Sequence, residues 1–255
     1  MSTLLLRAFA LCAFASIAGM AQATCDTGLA ERLHAKLHPE KPLNHALTVC
    51  EPWRGKLNFS IVVLPLSLGD NNQWRDPDLE ILVVQQPDNG NSERSTVVSR
   101  ILEPGGPLDE DTGPITEIRV DPAHYRLGPN EVAFGLRVMR RVDSTANPSS
   151  SETLALYMPK KAELVKLLDE LEIAFEYGKN GSECDAQTLT RRGQLSVAPS
   201  KSHGLADLTL QYTQWSSRGI AQDDQCLAQP PRATYKTVTL RFDGERYRSP
   251  KRREN

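Results

Sequence analysis

Apolar and polar residues alternate with a period of two along most of the chain. Leu57, Phe59, Ile61 and Val63 alternate with smaller or polar residues, which is the pattern of a β-strand with one side against a core. The same pattern recurs in residues 79–84, 96–102, 115–120, 132–138, 188–197, 207–215 and 234–242. Turn-forming clusters of Gly, Asn, Asp and Pro separate these runs. The pattern predicts a mainly β fold of antiparallel, β-sandwich-like domains.

Two segments have helical spacing. Leu29, Leu33 and Leu37 repeat every four residues, and Asp26 and Thr27 can cap a short N-terminal helix there before prolines stop it. Residues 160–171 also have leucines at helical spacing, but the period changes to two after them. We expect one helical turn followed by a strand.

The first 23 residues have the features of a cleavable secretory signal. Arg7 precedes an apolar stretch over residues 8–18 that is too short to span a bilayer, and small residues stand at positions 21 and 23. We expect cleavage before Thr24 and export to the bacterial periplasm. No later segment has the length of a membrane span, so the mature chain is not expected to cross a membrane.

The remaining chain is long enough for two β domains. Residues 143–151 contain no side chain that could fill a core, which favours either a domain boundary or a long hairpin loop. With a linker there, an N-terminal β domain with a short helix covers residues 24–142 and an antiparallel β domain covers residues 152–250. A basic tail follows at residues 251–255.

Four cysteines remain after the signal, an even number that indicates disulfides in an oxidising compartment. Three pairings can be drawn, and the long cysteine-free middle of the chain favours Cys25–Cys50 and Cys184–Cys226. A zinc site is the alternative, but no Cys-x-x-Cys spacing occurs.

Three of the five histidines lie close together. His34 and His38 would share one side of a helix, and His45 can complete a zinc or copper site. The competing reading is that they flank a short amphipathic helix. Two groups of acidic residues could bind calcium, but neither matches an EF-hand loop. They are Asp70, Asp76, Asp78 and Glu80, and Asp109, Glu110 and Asp111. We expect no obligatory cofactor.

A resemblance to uncharacterised secreted proteins of proteobacteria is carried by three stretches. They are residues 125–138, residues 203–208 and the ending Arg-Phe-Asp-Gly-Glu-Arg-Tyr at residues 241–247. The resemblance covers about the last half of the chain, and no activity comes with it. It implies a periplasmic address and a β architecture.

The chain contains no Gly-x-Ser-x-Gly, Ser-x-x-Lys or His-Glu-x-x-His motif, and its net charge of −2 does not indicate nucleic-acid binding. Trp74, in a polar loop, is the candidate contact residue. We therefore expect a non-enzymatic binding protein whose partner is a protein or an envelope component, as an inhibitor, an effector-immunity protein or an envelope accessory factor. A cell-envelope hydrolase and a periplasmic metal-binding protein are the alternatives, and the sequence does not indicate the oligomeric state.

Overall fold

A computed structural model describes residues 28–67, 75–87, 92–108, 111–179, 186–222 and 225–248. In this part of the chain one helix precedes thirteen strands. They are α1 (Leu29–Leu37), β1 (Val49–Pro52), β2 (Phe59–Leu66), β3 (Asp78–Gln85), β4 (Thr96–Glu103), β5 (Ile115–Val120), β6 (Tyr125–Arg126), β7 (Val132–Val142), β8 (Ser149–Lys160), β9 (Glu163–Lys179), β10 (Gln187–Ser202), β11 (Leu205–Gln222), β12 (Gln225–Ala228) and β13 (Arg232–Leu240). The mainly β fold predicted from alternation is confirmed, and a β-sandwich-like arrangement is compatible with it.

The N-terminal layer is an antiparallel meander of β1, β2, β3 and β4. Its two central strands are buried on both sides. Val62, Leu64 and Leu82 face α1, and the alternate residues Ile61 and Ile81 face β7 and β8. A sheet covered on both sides needs near-continuous apolar strands, as β2 and β3 have.

The rest of the sheet is a second meander in which β5, β7, β8, β9, β10, β11 and β13 are successive antiparallel neighbours. The short β6 pairs with the start of β7, and β12 pairs with the end of β11. One parallel bridge, from Arg100 in β4 to Glu163 in β9, connects the two meanders. The N-terminal layer therefore packs on β5, β7 and β8 and leaves β10, β11 and β13 beyond its edge.

The segment predicted as a domain linker lies in a hairpin. Val142 of β7 pairs with Ser149 of β8, so residues 143–148 form the connecting loop and residues 149–151 already belong to a strand. One hydrophobic cluster also combines Ile61 and Ile81 with Tyr157 and Leu164, from both sides of the segment. The sequence left open whether residues 143–151 are a domain boundary or a hairpin loop. The structure shows a hairpin loop at residues 143–148.

The helical turn expected within residues 160–171 is wrong. Lys160 of β8 pairs with Glu163 of β9, and Lys161, with a φ of 59°, lies in the tight turn between them. Shifts in the β8–β9 register, between Leu154 and Leu156 and between Leu156 and Tyr157, redirect the leucines of β9. Bulges of this kind change the side of the sheet that a residue faces, which explains the misleading helical spacing.

The N-terminal helix is confirmed, but its start differs from the expected cap. Gly28, with a left-handed φ of 67°, precedes α1, and no side-chain hydrogen bond caps the helix. Asp26 and Thr27 lie outside the described residues. No helix in the described ranges has the length and apolarity needed to cross a membrane.

Candidate binding groove

A large open groove follows the concave side of the second meander. Its volume is about 1440 Å³. Residues of β7, β8, β9, β10, β11 and β13 form its floor, residues 103–107 border one side, and Arg246 to Arg248 border another. Small-molecule pockets typically measure about 300–1000 Å³, so this groove is large enough for part of a macromolecule.

The groove exists because three strands change from core to open surface along the same side. Leu195 of β10, Leu210 of β11 and Leu240 of β13 are buried in one cluster. Further along each strand, the residues of the same side line the groove instead: Leu189 and Arg191, Tyr212 and Gln214, and Thr234 and Lys236. Since successive residues of a strand point to opposite sides, one surface contributes to both the core and the floor.

Strand register places the floor residues in rows. Gly193 pairs with Tyr212, which pairs with Lys236, and the next row contains Arg191, Gln214 and Thr234. A Cβ atom at position 193 would lie 3.1 Å from the Tyr212 ring and 3.2 Å from the carbonyl oxygen of Ile173. Glycine at position 193 therefore allows the Tyr212 ring to lie close against the strand.

An apolar patch lines part of the groove. Phe175 and Tyr177 of β9 and Leu189 of β10 line it, and all three side chains are partly exposed. Exposed aromatic rings on a concave surface are typical of binding sites, because they offer large contact area with little side-chain entropy to lose.

Arg191 is the centre of one polar group in the floor. Its guanidinium donates to Glu172 Oε1 at 2.7 Å and to Gln214 Oε1 at 3.0 and 3.1 Å. Its Cζ lies 5.9 Å from the centre of the Tyr212 ring, and the Tyr212 hydroxyl donates to the carbonyl oxygen of Glu172 at 3.3 Å. These contacts hold the guanidinium plane of Arg191 in one orientation, while 30% of the side chain stays exposed.

A second polar group lies where β8 and β9 meet the 103–107 segment. Lys166 Nζ lies 2.7 Å from Glu103 Oε1 and donates to Asp169 Oδ1 at 2.9 Å. The Tyr157 hydroxyl donates to Glu103 Oε2 at 2.9 Å. Arg140 forms a third group by donating two hydrogen bonds to Asp76, at 2.5 and 3.1 Å. The floor carboxylates Asp76, Glu103 and Glu172 are thus each bound to a cation.

Four side chains that line the groove have a pKa above the ordinary value of their type. Burial raises the pKa of Tyr157, and the adjacent Glu103 adds to this effect. Burial also raises the pKa of Tyr212 and Tyr247. For Lys166, burial lowers the pKa, but hydrogen bonds to Glu103 and Asp169 outweigh it and the net pKa is raised. All four groups keep their protons at neutral pH and can donate hydrogen bonds.

The three histidines of the predicted metal site have different partners. His34 Nε2 donates to the carbonyl oxygen of Lys41 at 2.6 Å, His38 Nε2 lies 2.7 Å from Glu80 Oε2, and His45 Nδ1 lies 3.8 Å from Glu31 Oε1. His38 follows the end of α1, so the two imidazoles do not share a helical face. No group of three candidate ligands occurs within the described ranges. Binding of zinc or copper stays a prediction.

Three of the carboxylates considered for calcium, Asp76, Asp78 and Glu80, are engaged with cations. Asp78 accepts from Lys41 Nζ at 2.8 Å and from the Gly105 amide at 2.9 Å. Glu80, buried under α1, contacts His38 and lies 3.0 Å from Arg100 Nε. Asp76 is held by Arg140, as described above. Asp70, Asp109 and Glu110 lie outside the described residues, and calcium binding stays untested.

Several other predicted features also lie outside the described residues. They are the signal at residues 1–23, Cys25, Cys184, the contact candidate Trp74 and the tail at residues 251–255. Cys50 lies in β1, opposite Val62 of β2, and nothing is described of the Cys226 side chain. Both disulfide pairings therefore stay predictions.

Comparisons with protein-family models, curated proteins and solved structures gave no match to this chain. The groove and its side chains are therefore the basis for a functional assignment. Its main residues, Arg191, Tyr212 and Lys236, were missed in the sequence because a single polar or aromatic residue within a strand is not itself a functional signal. The alternation that includes Phe175 and Tyr177 was the available signal, since it continues an apolar side beyond the buried part of β9.

Proposed function

We propose that this protein is an exported, non-enzymatic binding protein of the periplasm that holds an elongated segment of a macromolecule in the groove. The observation that carries the proposal is the partly exposed apolar patch of Phe175, Tyr177 and Leu189 inside an open groove of about 1440 Å³. A partly exposed apolar surface of this kind on a concave face favours a ligand that covers it.

The polar groups of the groove support binding rather than turnover. Arg191 is held by Glu172 and Gln214 and presents an oriented guanidinium to a ligand. The pKa values of Tyr157, Tyr212 and Lys166 are raised, so these groups keep their protons at neutral pH. A rigid surface with fixed hydrogen-bond donors lowers the entropy cost of binding.

Site-specific photo-crosslinking tests the proposal. A photoreactive phenylalanine derivative replaces Leu189 in the groove or, as a matched control, Gln194 on the same strand. Gln194 is exposed and, five residues away, points to the opposite side of β10. After irradiation of the intact envelope, we expect one discrete adduct with the derivative at position 189 and none at position 194. Equal adducts at both positions, or none at either, would contradict groove binding.

Export has a separate test. The intact mass of the protein recovered from the periplasmic fraction should correspond to a chain that begins at Thr24. Peptide mapping without reductant should show Cys25 joined to Cys50 and Cys184 joined to Cys226. Recovery of the full-length chain in the cytoplasmic fraction would contradict export, and a Cys25–Cys226 link would replace the two local pairings.

A further inference from the structure

One border of the groove is an open strand edge. β13 pairs with β11 through nine residues, Arg232 to Leu240. No strand of the described ranges pairs with its other edge. Seven of its nine residues are exposed, and Tyr235 is 78% exposed. Unpaired backbone N–H and C=O groups along such an edge can bind an additional strand.

The composition of β13 suits strand addition. Thr234, Tyr235, Thr237, Val238 and Thr239 all have high β propensity. The strand contains no proline, glycine or acidic residue. Its ladder with β11 is regular from Leu240 to Arg232, without a bulge. Neither proline nor a bulge, two of the features that block an edge, interrupts β13. Its charged residues Arg232 and Lys236 are of the kind that protects an edge from self-pairing, so an added strand has to neutralise them.

The side of β13 that faces the groove is cationic. Thr234 and Lys236 line the groove, and Arg232 lies on the same side two residues further along. No carboxylate within the described ranges forms an ion pair with Arg232 or Lys236. Arg246, which also borders the groove, is exposed as well. An added strand would therefore place its groove-facing side chains opposite two cations that are four residues apart.

The charge of this edge decides between occupants. A second copy of the chain would bring the same two cations and no carboxylate to the edge, so self-pairing lacks charge complementarity. A strand with acidic residues at positions four apart would pair with both Arg232 and Lys236. Its alternate residues would lie on the outer side near Tyr235, where β-branched side chains pack well.

We infer that the free edge of β13 binds an extended segment of a partner protein by strand addition, with acidic residues of that segment opposite Arg232 and Lys236. The inference rests on the proposed binding function and names the chemistry of its ligand. The added strand would continue the floor rows that run from β10 through β11 to β13. It would also extend the surface that lines the groove beyond Lys236.

A peptide titration tests the inference. The probe is the acetylated and amidated peptide Thr-Glu-Val-Thr-Val-Glu-Thr, labelled for fluorescence anisotropy, and its matched control has Lys in place of both Glu residues. We expect the acidic peptide to bind the mature wild-type protein and the basic peptide not to bind. The double variant R232E/K236E should bind the acidic peptide about tenfold more weakly and should gain binding of the basic peptide. K201E, at an exposed lysine of β10, should leave both affinities unchanged.

Backbone pairing needs its own control, because charge alone can attract an acidic peptide. The acidic peptide with an N-methyl group on every residue keeps its charge but cannot donate a ladder hydrogen bond from either edge, so its binding should be lost. Binding should also protect the amides of β13 from hydrogen exchange. The inference would be overturned if the methylated peptide bound as well as the unmethylated one. It would also be overturned if R232E/K236E still preferred the acidic peptide to the basic one.

Two outcomes separate this inference from the proposed function. If the photoreactive group at position 189 captures a partner while the peptide fails to bind, the groove function stands and strand addition at β13 is wrong. If β13 amides become protected as the concentration of the protein alone increases, a second copy occupies the edge, and that result also overturns the inference.

Discussion

Charged side chains lie on apolar strands in two regions of this protein, and water reaches them to different extents. Under α1, the side chain of Glu80 is 0% exposed and contacts His38 and Arg100. In the groove, the side chain of Glu172 is 17% exposed and contacts Arg191. Both carboxylates have a guanidinium partner. The difference is the covering layer, so we expect the first group to maintain the fold and the second to be available to a ligand.

The largest expected difference comes from the same substitution in each region. Arg100→Met leaves the Glu80 carboxylate buried with His38 as its remaining ionic contact, and we expect the free energy of unfolding to fall by about 3–5 kcal/mol. Arg191→Met leaves the Glu172 carboxylate partly in contact with water, so we expect a smaller loss, of about 1–2 kcal/mol. Urea unfolding followed by circular dichroism measures both. Equal losses in the two variants would show that burial under α1 does not distinguish them.

Two leucines of β10 provide an apolar version of the comparison. Leu195 is 7% exposed in the main core cluster, whereas Leu189 is partly exposed in the groove. Leu195→Ala should lower the free energy of unfolding by about 2–5 kcal/mol because it leaves a cavity. Leu189→Ala should lower the free energy of unfolding by less than about 1 kcal/mol. With the photoreactive group placed at position 234 instead, Leu189→Ala should reduce the yield of crosslinked partner.

Thermal and urea unfolding of both alanine variants check this prediction. A loss at Leu189 as large as the loss at Leu195 would mean that the groove floor is part of the core. In that case the partly exposed apolar patch would be a packing feature and would no longer support a ligand.

Most strands were predictable from the sequence, because alternation reports a strand that has one side against a core. Residues 79–84 and 115–120 were predicted within a residue of β3 and β5 at each end. The turn at Lys161 was not, since bulges in the β8–β9 ladder give the leucines of β9 a helical spacing. Local pattern does not contain the register of a partner strand, which is what decides the direction of those side chains.

The groove was less predictable than the fold. Leu189 and Leu195 have the same parity on β10, and the sequence does not show which of them is covered. Burial at Leu195 depends on other members of the core cluster, such as Leu210 of the next strand and Leu240 of β13. The metal prediction also depended on an assumed helix end: α1 stops at Leu37, so His38 leaves the helical face.

The smallest expected effect is a pH dependence in the N-terminal layer. Burial raises the pKa of Asp78, but hydrogen bonds from Lys41 and the Gly105 amide outweigh it, and the net pKa lies below its ordinary value of 3.8. A carboxyl with a lowered pKa in the folded state stabilises the fold above the unfolded-state pKa, and this contribution is lost as the pH falls through the folded-state pKa. The free energy of unfolding of wild type should therefore exceed that of Asp78→Asn at neutral pH, and the difference should shrink as the pH falls below 3.8. Urea unfolding of both proteins across this range measures the difference. A difference that stays constant with pH would mean that Asp78 acts through packing or its amide contact and not through its charge.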